Sequence, residues 1–319
     1  MNTSIDFIPQ IQNLLIEIGA LLERIEQLPS KKPEIRLRRQ NQIKTIHSTC
    51  MIEGNSLSLS EVTAIIDGKR VKGDQKQIKE VQNAVKLYAM IGKLNPLGEM
   101  DFLLAHRILM KGIIDSAGIY RNVDVGISSN GKIKTVFPSK KKLKELCREM
   151  FDYILSSQDN YLVKSAIIHY LIESIHPFED GNGRMGRFWQ TLFLSSKNDI
   201  FSFLPLELLI RKQQADYYEA LFIGQKADSP TYFVKFCLEI IKEALIEAGR
   251  YKYEKKVSKK EMRLKKSRKE LNGKEFSRSD YLKLFPDLSA SMASKDLADF
   301  VNNGILDCNG AGNTTKYRF

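Results

Sequence analysis

The chain has 319 residues, 43% hydrophobic and 28% charged, with 50 basic and 38 acidic side chains and a net charge of +12. At about 150 residues per domain the length allows about two domains, and the composition excludes a mainly disordered or collagen-like chain. A positive surplus of this size raises a nucleic acid, a membrane surface or an anionic substrate as partner. No apolar run approaches the roughly 18 residues of a membrane span, the nearest being Ile200 to Ile210, which holds Glu207. Met1 to Gln12 carries Asp6 and no basic residue, so no signal peptide is expected there. Cys50, Cys147, Cys237 and Cys308 are far apart, form no CxxC pair, and are accompanied by four histidines without HxxxH spacing. Neither a disulfide framework nor a zinc site is expected, and a cytoplasmic setting fits.

The expected elements, in chain order, are mostly helical. Residues 10–28 place Ile11, Leu14, Leu15, Ile18, Leu21, Leu22, Ile25 and Leu28 at helical spacing. Pro29 and Pro33 punctuate the chain, and a second helix is expected over about 34–52, stopping at Gly54-Asn55. Ser58 with Glu61 reads as a capping box opening a short helix that ends near Gly68. Helices follow at about 75–92 and 99–111. The pattern breaks over 119–137, where Ile119, Val123, Val125, Ile127, Ile133 and Val136 are β-branched and near alternation around Ser128-Ser129-Asn130-Gly131. That is a hairpin pattern. Helices resume at about 140–156, 160–174, 184–196, 206–223 and 230–248, the last opened by Ser229-Pro230. Residues 250–270 hold eleven Lys/Arg and three Glu, a solvated basic helical linker on composition. Residues 271–319 read as short helices, a Gly-rich turn (Asn309 to Asn313) and a terminal strand Thr315 to Phe319. The fold class is therefore mainly α with a small β-hairpin.

Residues 176–187 read His-Pro-Phe-Glu-Asp-Gly-Asn-Gly-Arg-Met-Gly-Arg, between two apolar helices. Gly181 and Gly183 let backbone approach a ligand closely. The following helix start presents free N–H groups at the positive end of its dipole, a phosphate-binding arrangement. Arg184 and Arg187 add forks for phosphate oxygens. Asp180 is a hard ligand suited to Mg²⁺, and His176 titrates near neutrality and can take a proton from a hydroxyl. Each residue alone has an ordinary structural use, but twelve residues supply base, metal ligand, cradle and clamp together.

This segment resembles the Fic signature, H-x-F-x-(D/E)-G-N-G-R-x-x-R, with every specified position filled by His176, Phe178, Asp180, Gly181, Asn182, Gly183, Arg184 and Arg187. The resemblance covers about residues 35 to 245. It implies a helical core (96–248) that transfers AMP from ATP to a Ser, Thr or Tyr hydroxyl of a protein target. His176 would be the general base, Asp180 the Mg²⁺ ligand, Gly181 to Arg184, Asn182 included, the α- and β-phosphate cradle, and Arg187 the γ-phosphate contact. Gly183 argues against the Doc-type kinase branch, while phosphocholine-transferring relatives are less easily set aside. The hairpin of 119–137 resembles the family's flap over the site, so Ile127 and Ser128 are expected at the nucleotide. Tyr217-Tyr218 resembles a tyrosine pair near the nucleotide, with core packing as an equal reading. Thr49-Cys50-Met51-Ile52-Glu53-Gly54 matches the family's inhibitory pattern, (S/T)-x-x-x-E-(G/N). It would end an inhibitory helix (about 35–53) within an N-terminal region 1–95. Glu53 would then pair with Arg187 and hold ATP in an unproductive pose, or orient a water that removes AMP.

Residues 271–319 resemble a winged helix-turn-helix, joined through 249–270. That segment holds six Lys/Arg and six Asp/Glu, and a DNA-reading helix is normally basic. Nucleic acid is therefore a disfavoured partner, and a DNA-binding regulator whose Fic core only senses nucleotide is the alternative function. No membrane partner is expected. Self-modification and a homodimer are expectations carried by the resemblance.

Overall fold

The structure is a computed structural model and describes residues 1–6, 8–27, 35–129, 132–256, 259–310 and 314–319. The expected breaks at Pro29 and Pro33, the tip Asn130-Gly131 and the middle of the Gly-rich turn (311–313) lie outside those residues. The chain divides into two compact units, Met1–Gly249 and Arg250–Phe319.

The first unit opens with α1 (Pro9–Glu26) and α2 (Ile35–Ile52), then α3 (Leu59–Ile66), α4 (Gln75–Tyr88) and α5 (Glu99–Met110). The capping box of α3 forms as read: Ser58 N–H donates to Glu61 Oε2 at 2.8 Å and Glu61 N–H donates to Ser58 Oγ at 3.3 Å. An antiparallel hairpin follows, β1 (Gly126–Ser129) and β2 (Lys132–Val136), with a register shift at Ile127/Ser128. The strands are shorter than the β-branched stretch that predicts them. Residues 119–125 are tied to other parts of the chain instead, through Arg121. Helices α6 (Lys140–Ser156), α7 (Tyr161–Ile175) and α8 (Asn182–Lys197) lead to a 3₁₀ turn (Asp199–Phe203), then α9 (Leu206–Lys212), α10 (Gln214–Ala227) and α11 (Thr231–Lys256), whose last residues, from Arg250, are counted with the second unit. The single helix expected over 206–223 is two, broken at Gln213 (φ −114°, ψ 37°). The mainly α class with one small hairpin in this unit holds.

α7 and α8 form the centre, with nearly every residue buried. Helices buried on all sides are stable only when wrapped by others, and the polar residues that α8 buries, Arg184 and Arg187 among them, belong to the site described below. An aromatic cluster fixes their neighbourhood. Phe102 of α5 lies edge-on to Trp189 of α8 (centroids 5.0 Å) and to Phe151 of α6 (5.7 Å). Each buried ring contributes about 1.5–3 kcal/mol over its exposed state, and each edge-to-face pair about 0.5–1.5 kcal/mol more. No helix among the described residues is long and apolar enough to cross a membrane.

The second unit contains α12 (Lys259–Leu271), α13 (Arg278–Leu284), α14 (Ala290–Asn302) and an antiparallel pair β3 (Asp307–Asn309) and β4 (Lys316–Arg318). Phe276 bridges to Tyr317 of β4. Its own core gathers Phe276, Tyr281, Ala293, Leu297, Phe300 and Leu306, with Leu264 and Leu271 of α12 packed against it. Ser277 and Asp280 form a capping box at α13, and Ser289 caps α14.

Candidate active site

The site begins where α7 stops. His176 takes the left-handed conformation (φ 53°, ψ 61°), which costs a non-glycine residue of order 1–3 kcal/mol and persists only where surroundings hold it. Three contacts hold it. Its N–H donates to Ile172 O at 3.0 Å. Its carbonyl accepts from Arg121 Nε at 2.7 Å. Its ring stacks on Phe137 with centroids 3.8 Å apart.

The loop that follows is pinned by its own motif. Phe178 is fully buried and stacks on the His106 ring at 3.6 Å. The Asn182 side chain turns back on it: Phe178 N–H donates to Oδ1 at 2.9 Å and Nδ2 donates to Phe178 O at 2.8 Å. Asn182 thus uses its side chain on the loop and offers its backbone N–H outward. Gly181 caps α8 at φ 87°, a conformation natural to glycine. Its N–H donates to Asp180 Oδ1 at 2.6 Å. The first intrahelical bond of α8 runs from Met185 N–H to Gly181 O at 2.9 Å. The N–H groups of Asn182, Gly183 and Arg184 therefore lack intrahelical acceptors, and no side chain caps them. The helix starts two residues earlier than its apolar pattern predicts, which puts the cradle inside its first turn.

Two buried guanidinium groups frame this turn. Arg187 is 1% exposed. Its Nη2 donates to Glu53 Oε1 at 2.7 Å and to Thr49 O at 3.2 Å, and its Nε donates to Thr49 Oγ1 at 3.1 Å. Burial works against the Arg187 charge, but the Glu53 and Glu173 carboxylates outweigh it. Arg184, 4% exposed, lies 3.2 Å from Asp180 Oδ1 and 3.6 Å from Glu80 Oε1. Three buried N–H positions remain without a hydrogen-bond partner: Arg184 Nε, Arg184 Nη1 and Arg187 Nη1. Unmet donors beside three free backbone N–H groups suit the oxygens of a polyphosphate. Asp180 is accessible, at 41% side-chain exposure. Among the described residues no three His, Cys, Asp or Glu side chains gather as a metal cage, so a cation here would be held by Asp180 together with phosphate oxygens, as suits Mg²⁺.

Gly183 decides how close Glu53 can come. A Cβ at that position would stand 2.5 Å from Glu53 Oε1 and 3.3 Å from Glu173 Oε1. Glu53 itself is presented by the end of α2, where its N–H closes a turn onto Cys50 O at 3.1 Å.

The Tyr217 and Tyr218 rings touch (centroids 5.1 Å) but differ in setting. Tyr217 is fully buried and donates to Glu173 Oε1 at 2.7 Å. Burial and Glu173 push its phenol up. Tyr218 is 47% exposed. The structure describes the strand that Ile127 and Ser128 form, but not their side chains.

Several residues that sequence reasoning passed over complete the site. His106 accepts from Gly118 N–H on Nδ1 (2.8 Å), so its Nε2–H donates to the Asp180 carbonyl (2.9 Å). Burial lowers this histidine to about 4, keeping it neutral in that role. Arg121, 3% exposed, gives Nη2 to Pro138 O at 2.6 Å and Nη1 to Val123 O at 2.8 Å, and its N–H pairs with Pro177 O at 2.9 Å. It ties the base of the hairpin to the loop. Arg121 and Phe137 fall within the stretch expected as the flap, without a role of their own there, and Glu80 is unmarked in the sequence.

His176 Nδ1 lies 3.3 Å from Glu173 O. A proton on Nδ1 donates to that carbonyl and leaves Nε2 as the basic nitrogen. Burial lowers the imidazole from its ordinary value, with Glu173 opposing and Arg121 adding to the effect.

Residues 96–194 match the model of the Fic/DOC family. Over its whole length the chain is similar to a Fic family protein of Desulfovibrio desulfuricans G20 of known structure, at 34% identity and a TM-score of 0.74, covering 98% of this chain and 97% of that one. It is also similar to the protein adenylyltransferase fic-1 of Caenorhabditis elegans, 27% identical over 231 residues, which is 68% of this chain and 43% of that protein. A third relative is the protein adenylyltransferase Fic of Nematostella vectensis, 26% identical over 242 residues, 72% and 54%. The chain spans about half the length of these curated relatives.

Proposed function

The chain belongs to the Fic/DOC family, and from that membership we propose that it is an autoinhibited protein adenylyltransferase. It transfers AMP from ATP to a Ser, Thr or Tyr hydroxyl of a protein, and pyrophosphate leaves. The observation that carries this reading is the pairing of an intact base and phosphate cradle with a carboxylate, Glu53, 2.7 Å from Arg187.

In this account the N–H groups of Asn182, Gly183 and Arg184 receive the α- and β-phosphates. Arg184 fills its unmet donors on the same oxygens, and Asp180 would hold Mg²⁺ against them. When bound, the ion would neutralise charge that builds on the leaving phosphates. His176 Nε2 takes the proton from the target hydroxyl as its oxygen attacks the α-phosphorus and the bond to the β-phosphate oxygen breaks. The lowered His176 keeps the imidazole unprotonated at neutral pH. Glu53 occupies the arginine that would hold the γ-phosphate, so ATP docks in a pose unsuited to in-line attack. Removal of AMP through a water oriented by Glu53 is a second activity compatible with the same contact. The hairpin edge offers strand pairing to a target segment.

The test uses the Glu53→Gly chain with ATP labelled either at the α- or at the γ-phosphate. Label from the α position should appear on protein and label from the γ position should not. His176→Ala in that background should lose roughly 100- to 10,000-fold in rate. Label from the γ position would identify phosphoryl transfer and contradict the assignment. Lysate proteins carrying the group, identified by mass spectrometry, would name the target.

A further inference from the structure

A second cavity of about 600 Å³ lies against the N-terminal half of α2, lined by none of residues 176–187. Its size is in the roughly 300–1,000 Å³ range of small-molecule sites. Arg38 and Thr45 of α2 form one wall, and Tyr88, Thr191, Phe203 and Leu204 form the other. Among the described lining residues are two arginines, Arg38 and Arg39, and no acidic residue. The Arg39 charge is already spent on Asp67.

One polar atom of the lining stays unmet, and a second lies behind it. The Arg38 guanidinium sits over the Phe203 ring, 5.5 Å from its centroid, and its buried Nε has no hydrogen-bond partner. Behind Tyr88 and Thr191 lies Glu207, fully buried. Its Oε1 accepts from Tyr88 OH at 2.7 Å and from Thr191 Oγ1 at 3.4 Å, while Oε2 has no partner. Burial pushes the Glu207 carboxyl up, with hydrogen bonds from Tyr88 and Thr45 opposing the shift. Buried polar groups without partners are uncommon, and a bound water or ion is one explanation for them. A guanidinium with an unmet donor calls for an anionic head, and the Tyr88, Phe203 and Leu204 surfaces call for a flat apolar body.

We propose that this cavity is a regulatory site for a small aromatic anion, one ring carrying one anionic group, whose binding fastens α2 to the core. α2 carries Thr49 and Glu53 at its other end. A ligand that bridges Arg38 and Thr45 to Thr191 and Phe203 binds the docked helix and not the undocked one. By linkage it deepens the inhibition. The regulatory half rests on the autoinhibited reading above, whereas the binding site stands on its own.

Calorimetry on the full chain with phenyl phosphate, and with inorganic phosphate as the head alone, tests the site. The expected result is one site for phenyl phosphate, weaker binding of inorganic phosphate, and at least tenfold loss in Arg38→Gln. Thr45→Val replaces Arg38→Gln if the latter does not fold. Affinity should be unchanged in Arg184→Gln, which disables a donor of the first site and whose ion pairs are to Asp180 and Glu80 rather than to α2. No binding of phenyl phosphate, or loss of binding in Arg184→Gln, would overturn the site and leave the Glu53 reading untouched. Labelling from α-labelled ATP then tests the regulation. At ten times its dissociation constant the ligand should lower the wild-type rate about tenfold and leave the Glu53→Gly rate unchanged. Binding without any effect on wild-type labelling, in a chain that Glu53→Gly does activate, would overturn the regulatory claim. If Glu53→Gly does not activate, the inhibitory reading fails, and calorimetry still decides the site.

Discussion

In the proposed reaction His176 is asked to do two things that oppose each other. It must be buried enough to stay neutral, and it must remain a competent base. Burial lowers it, while the Glu173 carbonyl and carboxylate restore part of its basicity. The rate of the Glu53→Gly chain should therefore hold steady as pH falls from 8, and its half-maximal point should lie below the ordinary 6.5 of histidine. A midpoint above 6.5 would contradict this environment. His106 makes a parallel prediction about stability. Its folded value is about 4 against an ordinary 6.5, so between those pH values the unfolded chain binds more protons. Stability present above pH 6.5 should be lost as pH falls toward 4, and thermal melts of the wild type across that window should show it. His106→Gln should melt lower at neutral pH but with a flatter pH dependence. Arg121 is a third residue whose loss is sharply defined. Arg121→Ala leaves carbonyls of His176, Pro138 and Val123 without their donor and should cost about 2–4 kcal/mol, read by chemical denaturation.

At the scale of elements, α8 and α2 carry the account, and they were unequally legible. The motif in residues 176–187 could be read from the sequence because its chemistry is local: a glycine that must take positive φ, free N–H groups one turn later, and two arginines on the same helix. The pattern at Thr49 to Glu53 was legible by resemblance. The supports were not. His106 reaches a carbonyl 74 residues away, and Phe137 stacks on a ring 39 positions later. No local pattern marks a residue whose partner is so distant. Helix ends were misjudged where side chains said little about geometry, as at Gln213 and at the start of α8. Glu80 is the most informative of the unmarked residues. Its Oε2 accepts from Asn55 Nδ2 at 2.9 Å, and Oε1 faces Arg184. It links the turn after Glu53 to the second arginine. Glu80→Gln keeps the Asn55 bond and removes the charge. It should change KM for ATP in the Glu53→Gly background by several-fold with little change in kcat, since it acts on ground-state placement of Arg184.

At the scale of the whole chain, the +12 charge takes on a different meaning. The excess concentrates in 250–270, and in the described part of that segment four cations have partners within the unit, while Lys265, Lys266, Arg268 and Lys269 remain exposed. Arg263 Nε pairs with Asp296 at 2.6 Å, and Lys260 pairs with Asp299. Lys266 lies over the Phe285 ring and Arg268 over the Phe319 ring. The acids on α14 that count against DNA reading are thus neutralised by α12 within the same unit. Asp296 is 4% exposed and also accepts from Tyr281 OH at 3.2 Å. Arg263→Ala leaves that carboxylate buried and unpaired, which should destabilise the second unit by about 3–5 kcal/mol. The labelling rate of the Glu53→Gly chain should be unaffected, because the catalytic groups belong to the other unit's core. A calorimetric transition that moves while activity stays fixed would bear this out.

The contact of Glu53 with Arg187 is tested by a single comparison of rates. The initial rate of protein labelling from α-labelled ATP is compared between the wild type and Glu53→Gly at equal concentration and saturating ATP. A coupling of about 1–3 kcal/mol corresponds to roughly 5- to 150-fold, so the variant should label protein faster by a factor in that range, and His176→Ala in the variant should abolish the gain. Equal rates in the wild type and Glu53→Gly would contradict autoinhibition by this glutamate.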